Sequence, residues 1–189
     1  MMNDHTMSIW QAYKSYWRNG VDFQGRARRK EYWVPVLINA LIGIVTTVLL
    51  YLALISSSSD LQPGELPPIM FILPLFYGFL LLFSLAKLLP DLSVAVRRMH
   101  DIGKSGWYTL IPIVQPFIFM VIVFIINIAT FRTTPEPETM SDTVLLVLFG
   151  LVALVTIGIY IWYFIMLVTP SEPHTNRWGV NPYQRSNEQ

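Results

Sequence analysis

The chain has 189 residues, of which 53% are hydrophobic and only 13% charged, with a formal net charge of +1. Soluble domains carry about 25% charged residues, so this composition excludes an ordinary water-soluble globule and a disordered chain, and the balanced charge argues against a nucleic-acid binder. No cysteine is present, which excludes a disulfide framework and thiolate chemistry.

Residues 6–19 predict a short amphipathic helix. Ile9, Trp10, Tyr13, Tyr16 and Trp17 recur at helical spacing, Lys14 and Arg18 take the other face, and Gly20 offers a stop. Such a helix either lies in the headgroup layer or packs on the end of a bundle, and both readings place it at the same level. After the polar segment 1–33 come four apolar stretches, 34–55, 69–89, 107–129 and 143–168, followed by a tail over 169–189. About 20 helical residues cross a hydrocarbon core of about 30 Å. Lipid obliges each span to satisfy its own backbone hydrogen bonds. The fold class expected is therefore all-α: a polytopic membrane protein with four transmembrane helices and an N-terminal interfacial helix.

Two proline features bear on the spans. Pro35 is tolerated if the first helix begins near Val34 and kinks it if the helix begins near Ala27. Pro112 and Pro116 flank Gln115 in the third span, an arrangement that predicts two missing backbone bonds within one turn.

Orientation follows from the basic residues. Lys14, Arg18, Arg26, Arg28, Arg29 and Lys30 precede the first span, Arg97, Arg98 and Lys104 sit in the 90–106 loop, and Arg177 and Arg185 are in the tail. The 56–68 and 130–142 loops hold only Arg132, against Asp60, Glu65, Glu136, Glu138 and Asp142. Both termini and the central loop are expected in the cytoplasm. The second helix is expected to continue through Pro90 to about Met99, which makes Lys87 and Asp91 an i, i+4 pair near its cytoplasmic end.

Three polar motifs collect at that end: FQGRARRKEYW (23–33), RRMHDIGKSGW (97–107) and NRWGVNP (176–182). Taken together they resemble the bacterial family called domain of unknown function 805, small inner-membrane proteins. The resemblance runs from about residue 10 to 183 and rests most heavily on Arg97, Arg98, His100, Asp101, Gly103, Ser105, Gly106 and Trp107. It departs from the family pattern at Asp91 and in the stretch PSEPH (170–174). The resemblance implies a bacterial inner-membrane location and no particular activity.

Read for chemistry, the middle motif offers a tight turn at Gly103 and Gly106, Ser105 as N-cap of the third span, and Trp107 as its interfacial anchor. Asp101 can pair with Arg97 or Arg98, or hold His100 in one tautomer. Guanidinium groups bind phosphate bidentately. The expected anion- or partner-binding set is therefore Arg26, Arg28, Arg29, Arg97, Arg98, His100, Asp101, Lys104, Ser105, Trp107, Asn176 and Asn181. On this reading the protein is a non-enzymatic scaffold whose arginine-rich cap recognises anionic lipid headgroups or a cytoplasmic protein, alone or as a homo-oligomer. One competing reading is an oligomeric transporter or channel using Lys87, Asp91 and Gln115; another is a lipid-acting enzyme at His100 and Asp101. His5, His100 and His174 are scattered without ligand spacing, so neither a metal nor a cofactor is expected.

Overall fold

A computed structural model describes residues 7–58, 69–133 and 142–184. His5, Asp60, Glu65, Glu136, Glu138 and Arg185 lie outside the described residues.

Helix α1 spans Ile9–Arg18 and begins there because Ser8 and Gln11 form a capping box. The Gln11 N–H donates to Ser8 Oγ at 3.1 Å and the Ser8 N–H donates to Gln11 Oε1 at 2.8 Å. Asn19 and Gly20 end it, and Gly20 lies so close to Pro90 that an added Cβ would stand 2.8 Å from the proline ring. Of its two expected settings, the helix takes the packed one. Ala12, Ser15 and Tyr16 are buried against the helices that follow, while Ile9, Trp10 and Trp17 stay exposed.

Helix α2 runs Arg29–Ser58, starting five residues before the apolar stretch. Glu31 in its first turn bends back to accept from the Arg28 N–H at 2.9 Å, the acidic side chain suited to a helix N-terminus. Pro35 consequently falls inside the helix, where it leaves the Glu31 carbonyl without its helical donor. Helix α3, Ile69–Asp101, has 33 residues and continues through both Pro74 and Pro90. At 1.5 Å per residue it is about 50 Å long, so its last three turns outreach the hydrocarbon core.

A 3₁₀ turn over Gly106–Leu110 leads into α4, Ile111–Thr133, and α5 covers Asp142–Val168. This junction corrects the expectation of two lost bonds in the third span. Pro112 falls in the first turn of α4, where an N–H has no partner within the α-helix, and only Pro116 interrupts the ladder. Ser105 occupies the N-cap position but its side chain makes no capping bond.

The described residues are all-helical apart from a single β-bridge between Asn176 and Gly179. Four helices are long and apolar enough to cross a membrane. Helix α2 lies against α3, α4 against α5, and α3 meets α5. Along the spans the apolar side chains point outward: Leu75 is 76% exposed and Leu154 68%. Such faces suit an apolar surrounding and not water. The protein's own core lies at the polar end, where Tyr16, Ala27 and Val94 pack with Tyr13 and Tyr32.

Candidate functional site

The last turns of α3 carry the node of the polar end. Asp101 is completely buried, and both of its carboxylate oxygens are occupied. Arg26 Nε donates to Oδ1 at 3.0 Å, while Arg98 Nη1 and Ser171 Oγ both donate to Oδ2. Two guanidinium groups on one carboxylate leave an excess positive charge, and backbone carbonyls absorb it. Arg26 donates to the carbonyls of Asp101 at 3.2 Å, Glu172 at 2.5 Å and His174 at 2.8 Å. Arg98 donates to Leu167 at 3.0 Å and to Thr169, the orphan carbonyls at the end of α5. A cation there is favoured by the helix dipole as well as by the hydrogen bonds.

The tail folds over this node through two asparagines that work alike. Asn176 Oδ1 accepts from the Trp178 N–H at 3.0 Å, and its amide donates to the His100 carbonyl at 3.0 Å and to Glu172 Oε2 at 2.8 Å. Asn181 Oδ1 accepts from the Tyr183 N–H at 2.9 Å, and its amide donates to the carbonyls of Glu172 and Pro173, each at 3.2 Å. Each therefore fixes a turn, and Asn176 ties its turn to the end of α3 while Asn181 ties its own to the start of the tail. The Glu172 N–H donates to the Asp101 carbonyl at 2.9 Å. Gly103 adopts φ +75°, and a Cβ there would stand 2.9 Å from the Glu172 carboxylate.

His100 takes no part in the carboxylate node. Its Nδ1–H donates to the Gly25 carbonyl at 3.2 Å, and its ring stacks on Trp178 at 4.5 Å and 11°. The tautomer is set by a carbonyl of the first motif and not by Asp101. No hydrogen bond among the described residues joins the side chains of His100, Asp101 and Ser105. No group of three His, Cys, Asp or Glu side chains that could hold a metal occurs among the described residues either.

Arg97 behaves unlike its neighbour. It is 5% exposed, yet its Nε has no hydrogen-bond partner, and Asp101 pairs with Arg26 and Arg98 instead. Arg28 donates to the Pro182 carbonyl and lies 5.0 Å from the Tyr183 ring centre. Arg29, Lys104 and Arg177 are exposed, as is Trp107.

Lys87 and Asp91 do pair, at 2.5 Å, and belong to a second cluster. Tyr16 donates to Asp91 Oδ1 at 2.8 Å, and Asn39 donates to the Tyr16 oxygen at 3.5 Å. Burial first, and then the Asp91 carboxylate, push the Tyr16 hydroxyl far above its ordinary pKa of 10.0, which keeps it protonated as a donor. Gln115 lies elsewhere: it donates to Thr156 Oγ1 at 2.9 Å, between α4 and α5. No described contact joins it to Lys87 or Asp91, so one chain does not assemble these three into a continuous path.

The three motifs are thus one interlocked unit. A family model described as protein of unknown function, DUF805, matches residues 20–180, which takes in the first two motifs and the third as far as Val180. The chain belongs to the DUF805 family. It is 39% identical over 116 residues to the inner membrane protein YhaI of Escherichia coli K12, an alignment covering 61% of this chain and 80% of that one. It is 36% identical over 117 residues to the inner membrane protein YhaH of the same strain, covering 61% and 82%. No solved structure matches. This DUF805 chain is a membrane protein whose relatives are inner-membrane proteins, which agrees with its four apolar helices.

Sequence reasoning grouped Arg26, Arg98, Asp101, Asn176 and Asn181 in one set; here Arg26 and Arg98 hold Asp101, while Asn176 and Asn181 tie the tail through His100, Glu172 and Pro173. It missed Tyr16 as a partner of Asp91, and it missed Ser171 and Glu172. Those two sit in the stretch 170–174 that departs from the family pattern, so position alone could have drawn attention to them.

Proposed function

We propose that this DUF805 protein is a non-enzymatic scaffold of the bacterial inner membrane, with both termini in the cytoplasm and a rigid cap that rests on anionic lipid headgroups. One observation carries the reading. Lys14, Arg18, Arg29, Lys104 and Arg177 are exposed on the polar end, and none is in an ion pair among the described residues. Trp10 and Trp107 are exposed at the same end. Lys14 and Arg177 lie over the rings of Trp10 and Trp178; aromatic rings at headgroup level and exposed cations outside ion pairs are what an interfacial surface needs.

The division of labour among the arginines supports it. Arg26 and Arg98 are consumed inside the cap, so rigidity comes from the interior and attraction from the rim. A cation near an anionic surface contributes about 1 kcal/mol. Three rim cations together are then worth about two orders of magnitude in affinity. The test is native mass spectrometry of the full chain released from bilayers of mixed phosphatidylglycerol and phosphatidylcholine. Wild type is expected to carry phosphatidylglycerol in preference. Arg29→Gln/Lys104→Gln/Arg177→Gln should lose that preference while unfolding at the same temperature. An unchanged preference in the triple variant overturns the reading, and a retained protein in place of lipid would redirect it to a cytoplasmic partner.

A further inference from the structure

A cavity of about 700 Å³ opens where the α1–α2 turn meets the tail, and Arg97 lines it together with Arg28, Asn19, Asp22, Gln24 and Glu31. Arg97 is the only arginine among the described residues that is buried with an unpartnered guanidinium nitrogen. The cause is helical geometry. Residues 97 and 98 are about 100° apart around α3, so Arg98 faces Asp101 and the end of α5 while Arg97 faces the first motif. The Ala27 N–H donates to the Arg97 carbonyl at 3.1 Å and holds that face in place.

Glu31 and Asp22 favour the Arg97 charge through space but do not bond to it. No carboxylate comes within ion-pair distance of it among the described residues. Glu31 accepts from Ser15 Oγ at 3.3 Å and from the Arg28 N–H at 2.9 Å, and Asp22 accepts from the Gln24 N–H at 2.9 Å. A buried guanidinium without an acceptor is costly, and a planar fork of donors selects an oxyanion that can be gripped at two points.

We infer that this cavity is a binding site for a phosphate ester bearing hydroxyl groups, with its phosphoryl oxygens on Arg97. Arg28, on the same wall, adds a second positive charge, and with Arg97 it balances the carboxylates of Asp22 and Glu31 that line the same cavity. Asn19, Asp22, Gln24 and Glu31 supply the donors and acceptors that hydroxyl groups use. The volume exceeds what a lone phosphate fills, which is why an ester and not the free ion is named. Such an ester is available either as a soluble polyol phosphate or as the glycerol headgroup of a phospholipid. The site is separate from the exposed rim, and either assignment can fail without the other.

The experiment compares wild type, Arg97→Gln and Arg97→Lys as full chains in nanodiscs of phosphatidylcholine. Calorimetric titration with glycerol 3-phosphate is one arm. Native mass spectrometry after adding phosphatidylglycerol to the bilayer is the other. Binding in either arm that falls at least tenfold in Arg97→Gln, and by less in Arg97→Lys, supports the site, and the arm that responds identifies the source. The rim triple variant, whatever its loss of phosphatidylglycerol at the rim, should bind glycerol 3-phosphate at the cavity as wild type does. Because Arg97 makes no side-chain hydrogen bond or ion pair in the fold and meets Glu31 and Asp22 only through space, Arg97→Gln should stay folded and unfold close to the wild-type temperature. Binding in neither arm, or binding indifferent to Arg97, overturns the inference.

Discussion

Arg98 and Asp101 stand one helical turn apart on α3, both completely buried, with Arg98 Nη1 donating to Asp101 Oδ2. The pair joins the end of α3 to the end of α5, because Arg98 also donates to the carbonyls of Leu167 and Thr169. Arg26, from the segment before α2, closes the same carboxylate from the other side. One aspartate therefore gathers three segments that are remote in the chain.

Asp101→Asn should be strongly destabilising. It leaves two buried guanidinium groups without their carboxylate, and breaking a buried pair in this way costs about 3–5 kcal/mol. Thermal unfolding in a neutral detergent should show a large drop. An Asn that preserved wild-type stability would mean that the carbonyls alone satisfy Arg26 and Arg98.

The Tyr16–Asp91 bond sets a pH dependence with a definite sign. The Tyr16 pKa is raised by burial and by Asp91 above the ordinary 10.0, so the folded state favours the protonated phenol. Its contribution is full below about pH 10 and is lost as the pH rises beyond that value, because the unfolded tyrosine ionises there and the folded one does not. Tyr16→Phe should cost about 1–2 kcal/mol at neutral pH. The gap in unfolding temperature between wild type and variant should narrow above pH 10. A gap that stayed constant or widened there would contradict the assignment.

Gly103→Ala should destabilise the cap by about 1–2 kcal/mol, since φ is +75° and the new methyl would press on the Glu172 carboxylate. Gly158→Ala serves as its control. Nothing lies within 4 Å of a Cβ there, and Ala is the better helix former. Equal effects at the two positions would argue against the tight approach of Glu172 to the 101–105 turn.

Asp91 and Gln115 should act independently. The first is engaged with Lys87 and Tyr16, and the second with Thr156. In a double-mutant cycle of Asp91→Asn and Gln115→Leu the stability effects should add to within about 0.5 kcal/mol. A larger coupling energy would show that oligomerisation brings the two sites together, as a transport path requires.

The four spans were legible because composition alone determines them: apolar runs of membrane length have few other folds open to them. The helix boundaries were less so. The end of α3 at Asp101 falls two residues past the expected Met99, whereas the start of α2, left open between Ala27 and Val34, depends on Glu31 turning back to Arg28. Arg26 and Asp101 are 75 residues apart, and no spacing rule connects residues at that distance. Arg97 and Arg98 looked equivalent as sequence and have opposite fates, because a helix turns adjacent positions to different faces. Pro112 and Pro116 looked equivalent too, until the 3₁₀ turn placed one at a helix start and the other inside it.

The most direct measurement is hydrogen exchange across residues 170–182 in wild type, Asp101→Asn and Arg97→Gln, all in the same nanodisc. The amides of Glu172, Asn176 and Trp178 are hydrogen-bonded within the cap and should be protected in wild type. Protection should collapse in Asp101→Asn and persist in Arg97→Gln, because the first residue closes the cap and the second only faces its cavity. Protection that survives in Asp101→Asn, or that is lost equally in both variants, would contradict the account.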